Sequence, residues 1–130
     1  MCNRDEPQTL PTIIADVVLL SPAEGGRSAP LHLDQLAHYR PHIVIGEPGQ
    51  RQARVSNGAL TEEYLGVQFC RQDLTIAPGQ AGRVRLQLVY YPSLQYRHAL
   101  PGATFTVREG ARVVGYGTIV ERSRGPATEQ

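Results

Sequence analysis

Thr104-Phe105-Thr106-Val107-Arg108-Glu109-Gly110-Ala111-Arg112-Val113-Val114-Gly115-Tyr116-Gly117 is the stretch that decides the fold class. Its first half alternates, with Phe105 and Val107 on one side and Thr104, Thr106 and Arg108 on the other. A period of two belongs to an extended strand with one buried face. Phe105 and Val107 are therefore expected inside, and Thr104, Thr106 and Arg108 outside. Glu109-Gly110-Ala111 suits a tight antiparallel connection into Arg112–Val120. That returning segment is apolar on both faces and carries Gly115 and Gly117. Glycine inside a strand marks a bulge or a close approach of two backbones, and closure of a small barrel needs such bends.

The same reading extends along the chain. Val84, Leu86, Leu88 and Tyr90 face one way, and Arg83, Arg85 and Gln87 the other. Leu65, Val67 and Phe69 form a third alternating run, and Ile13–Leu20 is apolar on both sides. Turn signals at Gly25-Gly26, Pro48-Gly49, Asn57-Gly58, Pro78-Gly79, Pro101-Gly102 and Gly110 come too often for long helices. His42–Ile45 and Arg51–Val55 are expected to pair across Pro48-Gly49. Leu31–His38 holds at most two helical turns before Arg40-Pro41, and Thr61–Tyr64 one. The expectation is an all-β domain of six to eight short strands over residues 13–122, a barrel or a sandwich, with short helical turns in its connections. Residues 1–12 and 123–130 are read as tails.

Composition excludes several functions. A chain of 130 residues with 41% hydrophobic content has room for one domain with its own core. Nothing in the sequence approaches the roughly 20 apolar residues of a membrane-spanning helix. Met1–Leu10 is polar, with Asp5 and Glu6, and does not read as a signal peptide, so a cytoplasmic location is expected. Thirteen basic residues, all arginine, against twelve acidic ones give a net charge of +1, far from the strong positive charge of bulk nucleic-acid binders. Cys2 and Cys70 follow no disulfide or zinc pattern, and Cys70 is expected to be a small buried hydrophobe.

Catalytic motifs are missing. No phosphate-cradling loop ending in Gly-Lys-Ser/Thr is possible without lysine, and no strand–glycine–helix fingerprint is present, so GTP binding is not expected. No G-x-S-x-G elbow occurs. His32, Asp34, His38 and His42 lie close in sequence, but their spacing fits no zinc pattern, and surface or packing roles are expected. Adjacent Glu62 and Glu63 would point to opposite faces of a strand. The chain is read as a non-enzyme without cofactor or metal.

Three motifs put a guanidinium beside a turn made pliable by glycine or stiff by proline: Glu24-Gly25-Gly26-Arg27, His38-Tyr39-Arg40-Pro41-His42, and Arg108-Glu109-Gly110-Ala111-Arg112. Such a group can clamp a carboxylate or phosphate with two parallel hydrogen bonds. The plainer alternative has Glu24 and Glu109 pairing with nearby arginines to pin the turns.

Taken in order, these motifs resemble the C-terminal, third barrel of bacterial elongation factor Tu. The matching stretches are Ala15–Leu20 with Glu24-Gly25-Gly26-Arg27 and Pro30, then Tyr39-Arg40-Pro41, Ala77-Pro78-Gly79 leading into Arg83–Val89, and Phe105–Gly117. The resemblance implies a closed six-stranded antiparallel barrel. It also implies contacts with the T-stem of aminoacyl-tRNA, the GTPase domain and the nucleotide-exchange factor. The chain departs from that pattern in longer connections between Pro30 and Tyr39 and over Gly46–Asp73. His42 replaces the usual glutamine, and Glu121 stands where a cation is common. The expected function is a stand-alone, protein-binding module that competes for or imitates an elongation factor Tu surface. Its candidate partner-binding residues are Arg27, Tyr39, Arg40, His42, Arg108 and Arg112. The alternative is an RNA-binding module, with tRNA as partner and Tyr90, Tyr91, Tyr96 and Arg97 offering stacking groups.

Overall fold

The computed structural model describes residues 10–35, 39–60, 62–92 and 96–123. In chain order the strands are β1 (Thr12–Leu19), β2 (Leu31–His32), β3 (His42–Ile45), β4 (Val55–Ser56), β5 (Ala59–Leu60), β6 (Leu65–Gly66), β7 (Gln68–Phe69), β8 (Thr75–Ile76), β9 (Ala81–Gln87), β10 (Thr104–Glu109) and β11 (Arg112–Arg122). One short 3-10 turn spans Pro22–Glu24. The protein is all-β.

Seven of the strands form one antiparallel sheet in the order β6-β3-β10-β11-β1-β9-β7. Its two edge strands, β6 and β7, are separated in sequence only by Val67, so the sheet curls until its edges nearly meet in a barrel. The pairing runs on through the junction, where Val67 N–H donates to the Pro41 carbonyl at 3.1 Å and Phe69 N–H to the Tyr39 carbonyl at 3.0 Å. Curling places alternate side chains in one interior. Ile13, Ala15, Val17 and Leu19 of β1, Val84 and Leu86 of β9, and Phe105 and Val107 of β10 are all buried there. This burial of apolar surface is the main stabilising term.

The central hairpin follows the sequence reading. β10 turns into β11 at Gly110, whose φ of +63° is in the left-handed region. Register slips by one residue between Val107 and Arg108, leaving a bulge that tightens the curl. Gly117 explains the glycines of β11: a Cβ there would lie 2.4 Å from the Asp16 carbonyl oxygen and 2.8 Å from the Phe105 ring. Strands β1 and β11 approach closely because no side chain intervenes.

Several expectations need correction. Strand β3 does not pair with Arg51–Val55; it lies between β10 and β6, and Val55–Ser56 pairs instead with β5 across Asn57-Gly58. Leu31–His32 starts no helix but pairs with Ile76 and Thr75 of β8, while residues 36–38 lie outside the described residues. Likewise, residues 62–64 form no helical turn, and Thr61 lies outside the described residues. Strand β9 ends at Gln87, which is buried, and Tyr90 is exposed rather than inward. Strand β1 begins at Thr12, one residue before the expected start, and β11 ends at Arg122; Ser123 N–H donates to the Thr12 carbonyl at 2.8 Å. The remaining tail residues, 1–9 and 124–130, lie outside the described residues. Cys70 is buried but is not a free thiol, because it is disulfide-bonded. One bridge leaves no spacing pattern to read, which is why the sequence did not betray it. Cys2 lies outside the described residues.

Candidate functional site

Two clusters gather most of the nominated residues. In the first, Glu109, the last residue of β10, accepts hydrogen bonds from Arg27 at 2.7 Å and from the Tyr39 hydroxyl at 2.6 Å. The Arg27 guanidinium also stands 5.3 Å from the centroid of the Tyr39 ring and donates to the Ala29 carbonyl. Burial, then the hydrogen bond to Glu109, pushes the Tyr39 hydroxyl well above the ordinary tyrosine range. Arg112 holds the glycine turn from below, donating to the carbonyls of Gly25 and Gly26. Glu24 closes that turn through hydrogen bonds from the Ser21 backbone and hydroxyl, both at 3.0 Å, which hold its carboxyl below the usual range. Arg40 stands apart, with Nε donating to Gln68 at 2.8 Å.

The second cluster centres on Arg108. Strand alternation does put Arg108 and Thr106 on the outer face of β10, since Nε of the one donates to the hydroxyl of the other at 2.8 Å. That outer face is nevertheless covered, and Arg108 has no exposed surface. The cover is the chain between β3 and β6. Arg108 donates to both Glu62 carboxylate oxygens, at 2.9 and 3.0 Å, and to the Tyr64 hydroxyl at 2.9 Å. Tyr64 packs edge-on against His42, and Arg51 lies 5.2 Å from the Tyr116 ring on the same side of the sheet. Glu62 also accepts from the Arg54 backbone N–H and from Gln50. The Arg108 hydrogen bonds, opposed by burial and helped by these neighbours, hold the Glu62 carboxyl down to about 2. The described residues 46–60 and 62–64 thus form a flap pinned over β3 and β10 by a buried, bidentate ion pair.

Sequence reasoning named Glu62 only to dismiss it, and it missed the cavity that the flap creates. Between flap and barrel lies a cleft of about 620 Å³, lined by Val44, Ile45, Leu65, Glu47, Glu63 and His98 among others. Glu47, Glu63 and His98 are exposed at its rim. From the same flap projects the β4–β5 hairpin, with Val55 60% exposed. The long connection over residues 46–73 was the available signal, since unusually long loops are often functional.

No three of His, Cys, Asp and Glu converge into a metal-binding group among the described residues. His32 instead meets the Thr75 hydroxyl at 3.3 Å, His42 packs on Tyr64, and His38 lies outside the described residues. No described helix is long and apolar enough to cross a membrane. No family model matches the chain.

Proposed function

We propose that this protein is a non-catalytic, elongation-factor-Tu-like barrel that works as a protein-binding module, competing for or imitating a surface of that factor. The fold half of the reading draws support from β6 and β7. Counted as one strand interrupted at Val67, they leave six strand positions in the sheet, as in the barrel the sequence resembles.

The observation that carries the functional half is the flap. It covers the outer face of β10, engages Arg108 completely and offers a cleft and a hairpin in exchange. The cleft is lined by the apolar Val44, Ile45 and Leu65, by the carboxylates Glu47 and Glu63, and by Arg54. That combination suits a partner segment with an apolar side chain beside a basic one. Glu47 and Glu63 outweigh the single described arginine of the cleft, Arg54, and disfavour phosphate, while Arg27, Arg108 and Arg112 already serve protein acceptors. Tyr96, one of the stacking candidates, is buried and donates to the Gly66 carbonyl. Protein binding is therefore favoured over RNA.

A cytoplasmic location belongs to the same proposal, because that is where such partners reside. The disulfide at Cys70 pulls against it, since cytosolic thiols are kept reduced. Calorimetric titration of the chain into the purified GTPase domain of elongation factor Tu, and into its nucleotide-exchange factor, tests the function. Saturable binding to either, weakened by Val55→Asp or Glu63→Lys, is the expected result. Heat with neither protein, together with salt-sensitive retention of tRNA on a filter, would replace this reading with the RNA one.

A further inference from the structure

We propose that the cleft between β9 and the residues following β7 binds an oxyanion, a phosphoryl or carboxylate group held by Arg71 and Arg85. This site lies apart from the flap and does not depend on the protein-binding proposal. Arg83 and Arg85 are two residues apart on β9 and share its outer face, opposite Asp16 and Ile14 of β1. The chain after β7 is tied to the other side of β9. Cys70 N–H donates to the Arg85 carbonyl at 2.9 Å, Gln72 donates through its amide to the Arg83 carbonyl at 3.0 Å, and its side-chain oxygen accepts from Arg85 N–H at 3.2 Å. These bonds bring Arg71 alongside, and Arg71, Arg83 and Arg85 line one cleft of about 200 Å³.

Their commitments differ. Arg83 is neutralised by Asp16 through hydrogen bonds of 2.7 and 3.0 Å. Arg71 spends only Nε, on the Asp34 carbonyl at 3.1 Å. Among the described residues, the Arg85 guanidinium makes no hydrogen bond or ion pair; only its backbone is engaged. Asp16 and Glu121 both act on Arg83. Arg71 keeps its terminal nitrogens and Arg85 its guanidinium for a shared concavity, and Arg85 is half-buried beside its cross-strand neighbour Ile14, where water competes less well. A planar guanidinium offers donors in a fork that matches two oxygens of one carboxylate or phosphoryl group.

The test is NMR of the arginine Nε–H signals on the oxidised full chain. It is titrated with inorganic phosphate, with acetate, and with sodium chloride at matched ionic strength. Saturable shifts at Arg71 and Arg85, with Arg108 unmoved, are expected. Saturation by phosphate identifies a phosphoryl ligand, and saturation by acetate a carboxylate. Arg85→Gln should weaken binding by about tenfold or more, as expected for losing a charged hydrogen-bond donor. An unshifted Arg108 signal in that variant reports that the fold is intact. A linear drift reproduced by chloride, or wild-type affinity in Arg85→Gln, would overturn the proposal.

Discussion

Replacing Arg108 by leucine removes the pin of the flap and leaves its partner stranded. The Glu62 side chain is only 7% exposed, and Arg108 supplies both of its strongest hydrogen bonds. Removing one partner of such a buried pair costs about 3–5 kcal/mol, because the remaining charge is desolvated and uncompensated. Against a total stability of about 5–15 kcal/mol for a domain of ordinary stability, that is a large share. For a chain of this size it corresponds to a fall in Tm of roughly 10–20 °C. The double variant Arg108→Leu, Glu62→Leu should recover much of the loss, because matched apolar replacement of a buried pair is often close to neutral.

Acid titration supplies an independent reading of the same pair. The Glu62 pKa is lowered from 4.5 to about 2 in the folded protein, so the unfolded chain binds the proton more readily. Stability from this group is complete above pH 4.5 and disappears as pH falls toward about 2. Denaturant melts of the three proteins across that window measure it. A loss below about 1 kcal/mol in Arg108→Leu, typical of an exposed pair, would refute the pinned flap. So would an unchanged acid limb.

Other consequences are checked more briefly. Gly117→Ala should cost about 1–3 kcal/mol or more in chemical melts, since its methyl group would meet the Asp16 backbone rather than a movable side chain. Ultraviolet difference spectra of the wild type and Tyr39→Phe should coincide through pH 10, the ordinary ionisation range of tyrosine, because burial and Glu109 keep Tyr39 protonated. A separate Tyr39 ionisation step near that pH would contradict the first cluster. Protein purified without reductant and then unfolded should show no reactive thiol at Cys70. Labelling at that residue would remove the case against a cytoplasmic location.

What was legible in the sequence was local. The hairpin at Gly110, the inward direction of Phe105 and Val107, and the close approach at Gly117 follow from neighbouring residues and the period of a strand. Strand parity even put Arg108 on the correct face. It could not show that Glu62 and Tyr64, more than forty positions away, cover that face. The partners of β3 were missed for the same reason: Pro48-Gly49 advertised a nearby hairpin, whereas β10 and β6 supply the pairing. Leu31-His32 looked helical until β8 offered it a strand partner. Among the nominated residues, Arg27, Tyr39 and Arg112 do converge, but upon Glu109 and the glycine turn. The cleft beneath the flap depends on tertiary packing and has no short motif.

Hydrogen exchange at the Arg108 side chain tests the pinned flap most directly. Its Nε proton is donated to Thr106 beneath residues 62–64, so it should exchange far more slowly than the corresponding proton of Arg85, which has no hydrogen-bond acceptor among the described residues. Equal rates for the two arginines would mean that the outer face of β10 is open to water and that the flap does not close over it.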